Sequence, residues 1–234
     1  GQFQTKKMIP AIDIDVTCLG FVVALNIAST YIQIGQYRNI LIVCAEKAHI
    51  GLNKKDVKIN ALFGDGAAAA IIATPQTKQV SKILSYEYVT YPNYYQLCQI
   101  RGGGSGMNIV NDPEGLHSHH LFSMDGPKLF KLAIKEWPRI INDLYEKAGI
   151  TKDDIDIVVP HQVSKQANEL LRQKLGFSKE MFLSILETHG NQVSASIPTC
   201  FSLAVKDNVI QEGMKVLLMG TSAGVSFGAM LIEY

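Results

Sequence analysis

One segment decides the fold of this chain, Asp13-Ile14-Asp15-Val16-Thr17-Cys18-Leu19-Gly20-Phe21. Its first half completes a stretch that predicts a short buried strand over Ile9–Val16. Its second half opens a run of small and apolar residues that predicts a helix from Cys18 to Gln33, closed by Gly35. Cys18 is therefore expected at a strand-to-helix junction, where the free N–H groups and dipole of the helix lower the pKa of a thiol. A cysteine in this position is a candidate nucleophile.

The amino-acid composition limits the classes of protein to which this chain can belong. The 234 residues suffice for one large α/β domain or two small ones, and 47% of them are apolar, which allows a sizeable core. The formal net charge of +1 argues against a general nucleic-acid binder. The sequence shows neither a signal peptide nor an apolar run long enough for a membrane span. The cysteines lie far apart without CxxC spacing, which favours a reducing, cytoplasmic setting over a disulfide scaffold or a zinc site.

The start of the chain is unlike that of a complete protein. Gly1 stands where an initiator methionine is expected, and the predicted strand at Ile9–Val16 follows almost at once. We therefore expect the sequence to be a piece of a longer polypeptide whose preceding segment completes the sheet of the first half. On this interpretation the 1–234 polypeptide alone would aggregate or remain molten.

An internal repeat organises the chain. A helix of small and apolar residues, a strand, a glycine-containing turn and a second strand occur twice in that order. The first copy comprises residues 18–33, 39–44 and 67–73, and the second comprises residues 197–211, 215–219 and 225–232. Two similar halves packed face to face are expected, residues 1–80 and residues 81–234, with a site at their junction that draws residues from both.

The region between the two copies predicts further α/β elements. The pattern indicates an amphipathic helix over residues 128–149, a strand over 155–159 that ends at Pro160-His161, and a helix over 166–175. Residues 75–122 are less regular. They hold tyrosines, a glycine run and His117-Ser118-His119-His120, which is expected to be a solvated loop and not a metal site.

Three side chains carry the candidate chemistry: Cys18, His161 and Asn191. A thiolate can accept an acyl group, and an imidazole and a carboxamide can donate hydrogen bonds to a thioester oxygen. The simpler alternatives are a capping role for His161 and a turn role for Asn191. Cys44 and Cys200 lie within an apolar strand and an apolar helix, so they are expected to be inert buried side chains.

Four further motifs complete a resemblance to a known family. They are Phe63-Gly64-Asp65-Gly66-Ala67, Val159-Pro160-His161-Gln162, His189-Gly190-Asn191 and the closing turn Gly220-Thr221-Ser222-Ala223-Gly224. With these motifs in this order, the chain resembles the thiolase-fold condensing enzymes, most closely the ketoacyl-acyl-carrier-protein synthase III group. The resemblance implies an α/β protein with a five-layered αβαβα fold from two duplicated halves. It also implies a homodimer, and a chain that lacks roughly the first third of the usual polypeptide.

The resemblance also implies roles for individual residues. Cys18 becomes acylated while the backbone N–H groups of Cys18 and Ala223 hold the oxyanion. His161 and Asn191 then donate hydrogen bonds to a malonyl thioester, whose loss of CO₂ leaves an enolate that attacks acyl-Cys18. No metal or redox cofactor is implied, and the substrates are thioesters of coenzyme A or acyl carrier protein.

Two further sets of residues are expected around this site. Phe63 is expected to line the acyl pocket, with Gly64 and Gly66 as turn residues, because the segment lacks the Lys-Ser/Thr of a phosphate-binding loop. Four basic residues are candidates for docking the acidic carrier protein, with ordinary solvated helix faces as the alternative: Lys131, Lys165, Arg172 and Lys174.

Two other functions fit the same residues. A non-decarboxylating acyltransferase of this fold would move the acyl group to an alcohol or amine, and a non-catalytic partner subunit would shape a sister subunit's site. Release of CO₂ from a malonyl donor separates the acyltransferase from the main hypothesis, and the intact set of Cys18, His161 and Asn191 argues against the partner subunit.

The chain departs from the family pattern at Ser222 and Ala223, where glycines are usual.

Overall fold

The computed structural model describes residues 8–75, 81–102 and 119–234. Its helices are α1 (Gly20–Gln33), α2 (Val57–Asn60), α3 (Gly126–Ala148), α4 (Lys165–Leu175), α5 (Leu186–His189) and α6 (Ser196–Lys206). Its strands are β1 (Asn39–Glu46), β2 (Gly66–Ala73), β3 (Lys82–Thr90), β4 (Cys98–Ile100), β5 (Phe122–Met124), β6 (Ile157–Pro160), β7 (Lys215–Ser222) and β8 (Ser226–Glu233). None of the described helices has the length and apolar character needed to cross a membrane.

Two sheets carry the repeat that the sequence predicts. In the first half, α1 is followed by the antiparallel pair β1-β2, with Asn39 opposite Ala73. In the second half, α6 is followed by the antiparallel pair β7-β8, with Lys215 opposite Glu233. All four strands are eight residues long. The second sheet is wider, in the order β3-β8-β7-β6, and β6 pairs with β7 in parallel. The predicted repeat of one helix and two strands is therefore confirmed.

The helices and sheets pack as alternating layers. Helices α1 and α6 lie between the two sheets, where Phe21 and Ile197 join a buried cluster with Leu218 of β7. Helix α3 covers the opposite face of the large sheet, and its Trp137 packs edge to face on Phe227 of β8 with ring centroids 5.3 Å apart. Both faces of β7 are buried, because successive side chains of a strand point to opposite sides and here both sides meet a helical layer.

The outer face of the β1-β2 sheet is apolar and exposed. Leu41, Val43 and Ile71 are between 57% and 72% exposed, whereas Ile42 and Ile72 point inward to the cluster around α1. Two sheet layers and two helical layers are thus seen in the described ranges, and they account for four of the five layers that the sequence predicts.

Two predictions about strands are wrong. Residues 8–16 form no regular secondary structure, and Ile9 and Ile12 are 68% and 70% exposed. A strand needs a hydrogen-bonded neighbour, and no described strand pairs with this segment. Conversely, β3 was not predicted within the irregular stretch 75–122, yet it pairs with β8 over its whole length. Its polar residues and the register shift between Ile83 and Ser85 interrupt the alternation that marks a strand. Gly103-Gly104 and His117-Ser118 lie outside the described residues.

Candidate active site

Cys18 lies in a single 3₁₀ turn, Thr17–Leu19, that runs directly into α1. The next side chain, Leu19, is fully buried against the large sheet. Leu19 can approach β7 and β8 so closely because these strands carry Gly220 and Gly228 at the contact. Added Cβ atoms on these glycines would lie 3.2 and 3.1 Å from the Leu19 side chain. The nucleophile turn of the first half therefore rests on the hairpin of the second half.

The electrostatic environment of Cys18 differs from the prediction. Burial raises the pKa of its thiol to about 12, and hydrogen bonds from Thr17 and from the Cys18 backbone N–H oppose this only in part. The expected lowering of the pKa is therefore wrong. The reason is that α1 begins at Gly20, beyond the cysteine, and loss of hydration outweighs the N–H groups nearby. Acylation of this thiol requires a group that removes its proton.

His161 follows directly after β6, as predicted. Its backbone N–H donates to the Met219 carbonyl at 2.7 Å, and its own carbonyl accepts a hydrogen bond from the Asn168 side chain at 3.3 Å. The residue is 3% exposed, and its buried Nδ1 has no hydrogen-bond partner within the part of the chain that the structure describes. Burial lowers the pKa of the imidazole to about 4, so the ring is neutral at pH 7. A neutral imidazole has one N–H donor and one acceptor nitrogen, which suits it to either side of a proton transfer.

Asn191 is held by the predicted glycine turn of the first half. Its N–H donates to the Leu62 carbonyl at 2.8 Å, and its carbonyl accepts from the Gly64 N–H at 3.0 Å. These bonds place it beside Phe63 in a parallel bridge. The side-chain Oδ1 accepts from the Val193 N–H at 2.9 Å. The oxygen end of the carboxamide is thus occupied by the protein, and the NH₂ end is the part that can donate to a ligand.

Gly64 and Gly66 allow this contact between the two halves. A Cβ on Gly64 would overlap the carbonyl oxygen of His189, and a Cβ on Gly66 would overlap the side chain of Gln192. The sequence predicts both glycines as turn residues. The structure adds that each is required by a close approach to the segment that carries Asn191.

Gly64→Ala is expected to destabilise the protein by about 2 kcal/mol or more, because the overlapping atom belongs to the backbone and cannot move aside. The same shift would displace Asn191 and reduce activity. Gly51→Ala is the matched control, since the nearest atom to its added Cβ lies 3.9 Å away. Thermal unfolding of both variants tests this. Equal midpoints would contradict the proposed close packing.

The segments that carry the three predicted catalytic residues meet at the junction of the halves. A Cβ on Gly220 would lie 2.9 Å from the His161 Cβ and 3.2 Å from Leu19, so His161 and the nucleophile turn flank the same point of β7. The turn after Asn191 approaches α1, where a Cβ on Gly20 would lie 3.2 Å from the Ser194 side chain. Within the described ranges, no hydrogen bond joins the side chains of the three residues directly.

An apolar cavity of about 360 Å³ lies near this junction, lined by neighbours of Cys18, His161 and Asn191 in the fold and not by these residues themselves. Leu62 and Thr221, neighbours of the glycine turn and of Ala223, line one part of it, and Val163 lies two residues beyond His161. Phe130 and Leu171 contribute the walls from α3 and α4. A cavity of this size can hold a small apolar chain or the arm of a thioester carrier.

Phe63 lies next to a residue of the cavity but does not line it itself. It packs edge to face against Phe122 with ring centroids 5.3 Å apart, and its neighbour Leu62 lines the cavity instead. Its role in an acyl pocket stays a prediction. Among the described residues, no group of three or more His, Cys, Asp or Glu side chains is arranged to hold a metal ion.

The chain matches two family models in sequence order. Residues 12–92 match 3-oxoacyl-[acyl-carrier-protein] synthase III, and residues 145–234 match the C-terminal model of the same enzyme. It is 32% identical over 225 residues to the beta-ketoacyl-[acyl-carrier-protein] synthase III of Neisseria meningitidis, with 96% of this chain and 67% of the relative covered. The chain belongs to the ketoacyl-acyl-carrier-protein synthase III family.

Other members of the family agree with this assignment. The enzyme of the same name from Coxiella burnetii is 33% identical over 228 residues, with 97% of this chain and 68% of the relative covered. The crystal structure of the synthase III from Aquifex aeolicus superposes with a TM-score of 0.86 at 28% identity, over 97% of this chain and 68% of that one. The thiolase-like fold predicted from the sequence is confirmed.

Two positioning residues of this chain, Gln162 and Glu46, were not predicted from the sequence. Gln162 is fully buried; its Nε2 donates to the Pro160 carbonyl at 2.8 Å, and its Oε1 accepts from the Ile185 N–H at 2.9 Å. Glu46, at the end of β1, accepts hydrogen bonds from the N–H and hydroxyl of Ser194 at 3.3 and 2.5 Å. Both connect the segments that carry the catalytic candidates. The sequence could have pointed to Gln162 because it directly follows His161. No sequence feature pointed to Glu46.

The four docking candidates lie in unlike environments. Lys131 is exposed on α3, next to Phe130 of the cavity, and Lys165 begins α4 beside Ser164, where it forms an ion pair with the exposed Glu187. Arg172 is 17% exposed at its side chain; it pairs with Glu169 and donates to the Phe177 carbonyl. Lys174 lies beside a separate cavity. Lys131 and Lys165 are thus neighbours in sequence of cavity-lining residues, while Arg172 holds the end of α4.

Proposed function

We propose that this protein is a decarboxylating condensing enzyme of fatty-acid synthesis. It would join an acyl thioester to a malonyl thioester and release a β-ketoacyl thioester and CO₂. The observation that supports this most is that His161 and the turn that carries Cys18 flank the same point of β7, while the turn after Asn191 packs against the start of α1. Family membership supports the same reaction.

The first step would load the enzyme. The Cys18 sulfur attacks the acyl carbonyl while a base takes its proton; the carbon–sulfur bond to the carrier then breaks, and the base returns the proton to the carrier sulfur, which leaves as a free thiol. Neutral His161 is the proposed proton acceptor, since burial keeps the Cys18 thiol protonated at neutral pH. The backbone N–H groups of Cys18 and Ala223 would stabilise the oxyanion, each by about 3 kcal/mol.

The second step would form the carbon–carbon bond. His161 and Asn191 donate hydrogen bonds to the malonyl thioester oxygen, CO₂ leaves, and the resulting enolate attacks the carbonyl of acyl-Cys18. The C–S bond breaks, and the sulfur regains a proton. The sequence of steps involves no change of oxidation state other than loss of CO₂ within the substrate, so it needs neither a redox cofactor nor a metal.

The proposed substrates arrive on coenzyme A or on acyl carrier protein. The relatives are named for acyl carrier protein, which is acidic. Lys131 and Lys165 each follow a cavity-lining residue in sequence, Phe130 and Ser164, and they are proposed to meet such a partner near the cavity. Arg172 would contribute only indirectly, by holding the end of α4. Lys174 is the weakest candidate because it lies beside a separate cavity. A homodimer is proposed from family membership.

The test is a direct balance of products. The full chain is incubated with an acyl-coenzyme A and malonyl-acyl carrier protein, and CO₂ release is measured together with the mass of the carrier protein. The expected result is one CO₂ for each β-ketoacyl product. Transfer of the acyl group without CO₂ release would contradict the proposal and favour the non-decarboxylating acyltransferase.

A further inference from the structure

Asn168 is a polar residue at a buried position of α4. It is 6% exposed, and no other residue of this fully described helix is buried. Leu171 and Leu175 follow three and seven positions later on the same face, and both pack against the buried cluster under α3. A leucine would fit this pattern at position 168, so the carboxamide departs from the amphipathic design of the helix. Departures of this kind are typical of functional sites.

The hydrogen bond of Asn168 fixes the direction of its carboxamide. Its Nδ2 donates to the His161 carbonyl at 3.3 Å, and a carbonyl can only accept, so the NH₂ end faces His161. Among the described residues, none donates a hydrogen bond to the Oδ1 of Asn168. Asn168 lines the apolar cavity near the junction, so the oxygen end is the part that can accept from a ligand there. A buried amide oxygen costs free energy when it has no donor.

The chemistry of this oxygen discriminates between two occupants of the cavity. The walls around it are mainly apolar, with Phe130, Trp137 and Leu171 among them. An acyl chain would fit such walls, but it has no N–H or O–H group and would leave the Asn168 oxygen unpaired. Coenzyme A and acyl carrier protein both present their thioester at the end of a pantetheine arm, which joins two amide groups by short aliphatic links. An arm of this kind can satisfy the walls and the oxygen together.

We propose that Asn168 is a specificity-determining residue that accepts a hydrogen bond from an amide N–H of the substrate's pantetheine arm. The same carboxamide holds the His161 carbonyl, so the bound arm is aligned with the segment that carries the proposed catalytic imidazole. The choice of a thioester substrate rests on the proposed function, whereas the orientation of the carboxamide does not.

The test measures equilibrium binding of S-methyl pantetheine, an unreactive thioether, to the full chain by titration calorimetry. Two analogues each replace one of its amide N–H groups with an ester oxygen. One analogue is expected to bind the unmodified protein roughly tenfold more weakly than the parent compound, because an ester oxygen cannot donate to Asn168. In Asn168→Leu, which keeps a similar side-chain volume, the parent and that analogue should bind within roughly twofold of each other.

Gln166→Leu is the matched control. Gln166 lines the same cavity from the same helix, but it is exposed. This variant should keep the preference for the parent compound. The readout is the ratio of two affinities, and a purely structural role of Asn168 would weaken both affinities alike and leave their ratio unchanged. Asn168→Ala replaces Asn168→Leu in the comparison should the leucine variant fail to fold.

Every outcome bears on the assignment of Asn168. No binding of the parent compound, or equal binding of the parent and both analogues to the unmodified protein, would overturn it. A preference that persists in the folded Asn168 variants, or that disappears in Gln166→Leu, would do the same.

Binding of a thioether needs no chemistry, so this result is separate from the condensation. A preference that depends on Asn168, found together with no CO₂ release from a malonyl thioester, would contradict the proposed function and support the role of Asn168. Condensation without any such preference would support the proposed function and overturn the role of Asn168.

Discussion

Replacing Cys18 with alanine is expected to abolish the covalent acyl-enzyme. The sulfur is the atom that accepts the acyl group, and the other thiols are not expected to take its place because the surface of Cys18 is partly exposed whereas Cys44, Cys98 and Cys200 are buried. Intact-mass analysis after incubation with an acyl-coenzyme A should show one added acyl group on the unmodified protein and none on Cys18→Ala.

The matched controls are Cys44→Ala and Cys200→Ala. Both thiols lie in the buried cluster around α1 and α6, so these variants are expected to lose some stability from the small cavity but to keep acyl loading. An acyl mass that persists in Cys18→Ala and disappears in Cys200→Ala would move the nucleophile to another residue and overturn the assignment.

Removing the carboxamide of Asn191 is expected to separate the two halves of the reaction. We expect Asn191→Ala to lower CO₂ release from the malonyl thioester by roughly 10²-fold, the scale for losing one oriented donor. Acyl loading should fall much less, since that step is assigned to Cys18 and the backbone N–H groups around it. Separate measurement of acyl-enzyme formation and CO₂ release tests this.

His161→Ala provides the comparison. Its loss is expected to lower CO₂ release by a similar factor of roughly 10², and to slow loading as well, because burial keeps the Cys18 thiol protonated and a proton acceptor is needed. Asn191→Asp controls for structure, since its carboxylate can still accept from the Val193 N–H while the NH₂ donor is lost. Normal CO₂ release with blocked loading in Asn191→Ala would reverse the roles and favour a plain acyltransferase.

Local patterns in the sequence were sufficient for much of the fold. The helix predicted from Cys18 to Gln33 is present as α1 with a 3₁₀ turn before it, and the apolar run at residues 39–44 lies within β1. Helix α3 begins and ends within two residues of its predicted limits. Each of these elements carries its own apolar periodicity and its own stop signal, such as the left-handed Gly149 after α3. Elements of this kind can be predicted from the sequence without knowledge of the segments that pack against them.

The sequence predicts which residues form the candidate site but not how they are arranged. Cys18, His161 and Asn191 were named from motifs, and the structure brings them to one junction. Their proximity follows from contacts between distant segments, such as the bonds of Asn191 to Leu62 and Gly64. The motif order indicates which residues matter, but only packing brings them together.

By itself the sequence determined the family, the internal repeat and the type of each strongly periodic element, because these depend on spacing within short windows. Tertiary structure alone decided whether a strand forms, since Ile9–Val16 is strand-like in composition but has no described partner, while β3 is irregular in pattern and pairs fully with β8. It also decided the chemistry of the nucleophile. The pKa of Cys18 is raised mainly by burial, and Cys98 and Glu46, which lie 80 and 28 residues further along the chain, add to the rise; no local sequence pattern reports these contacts.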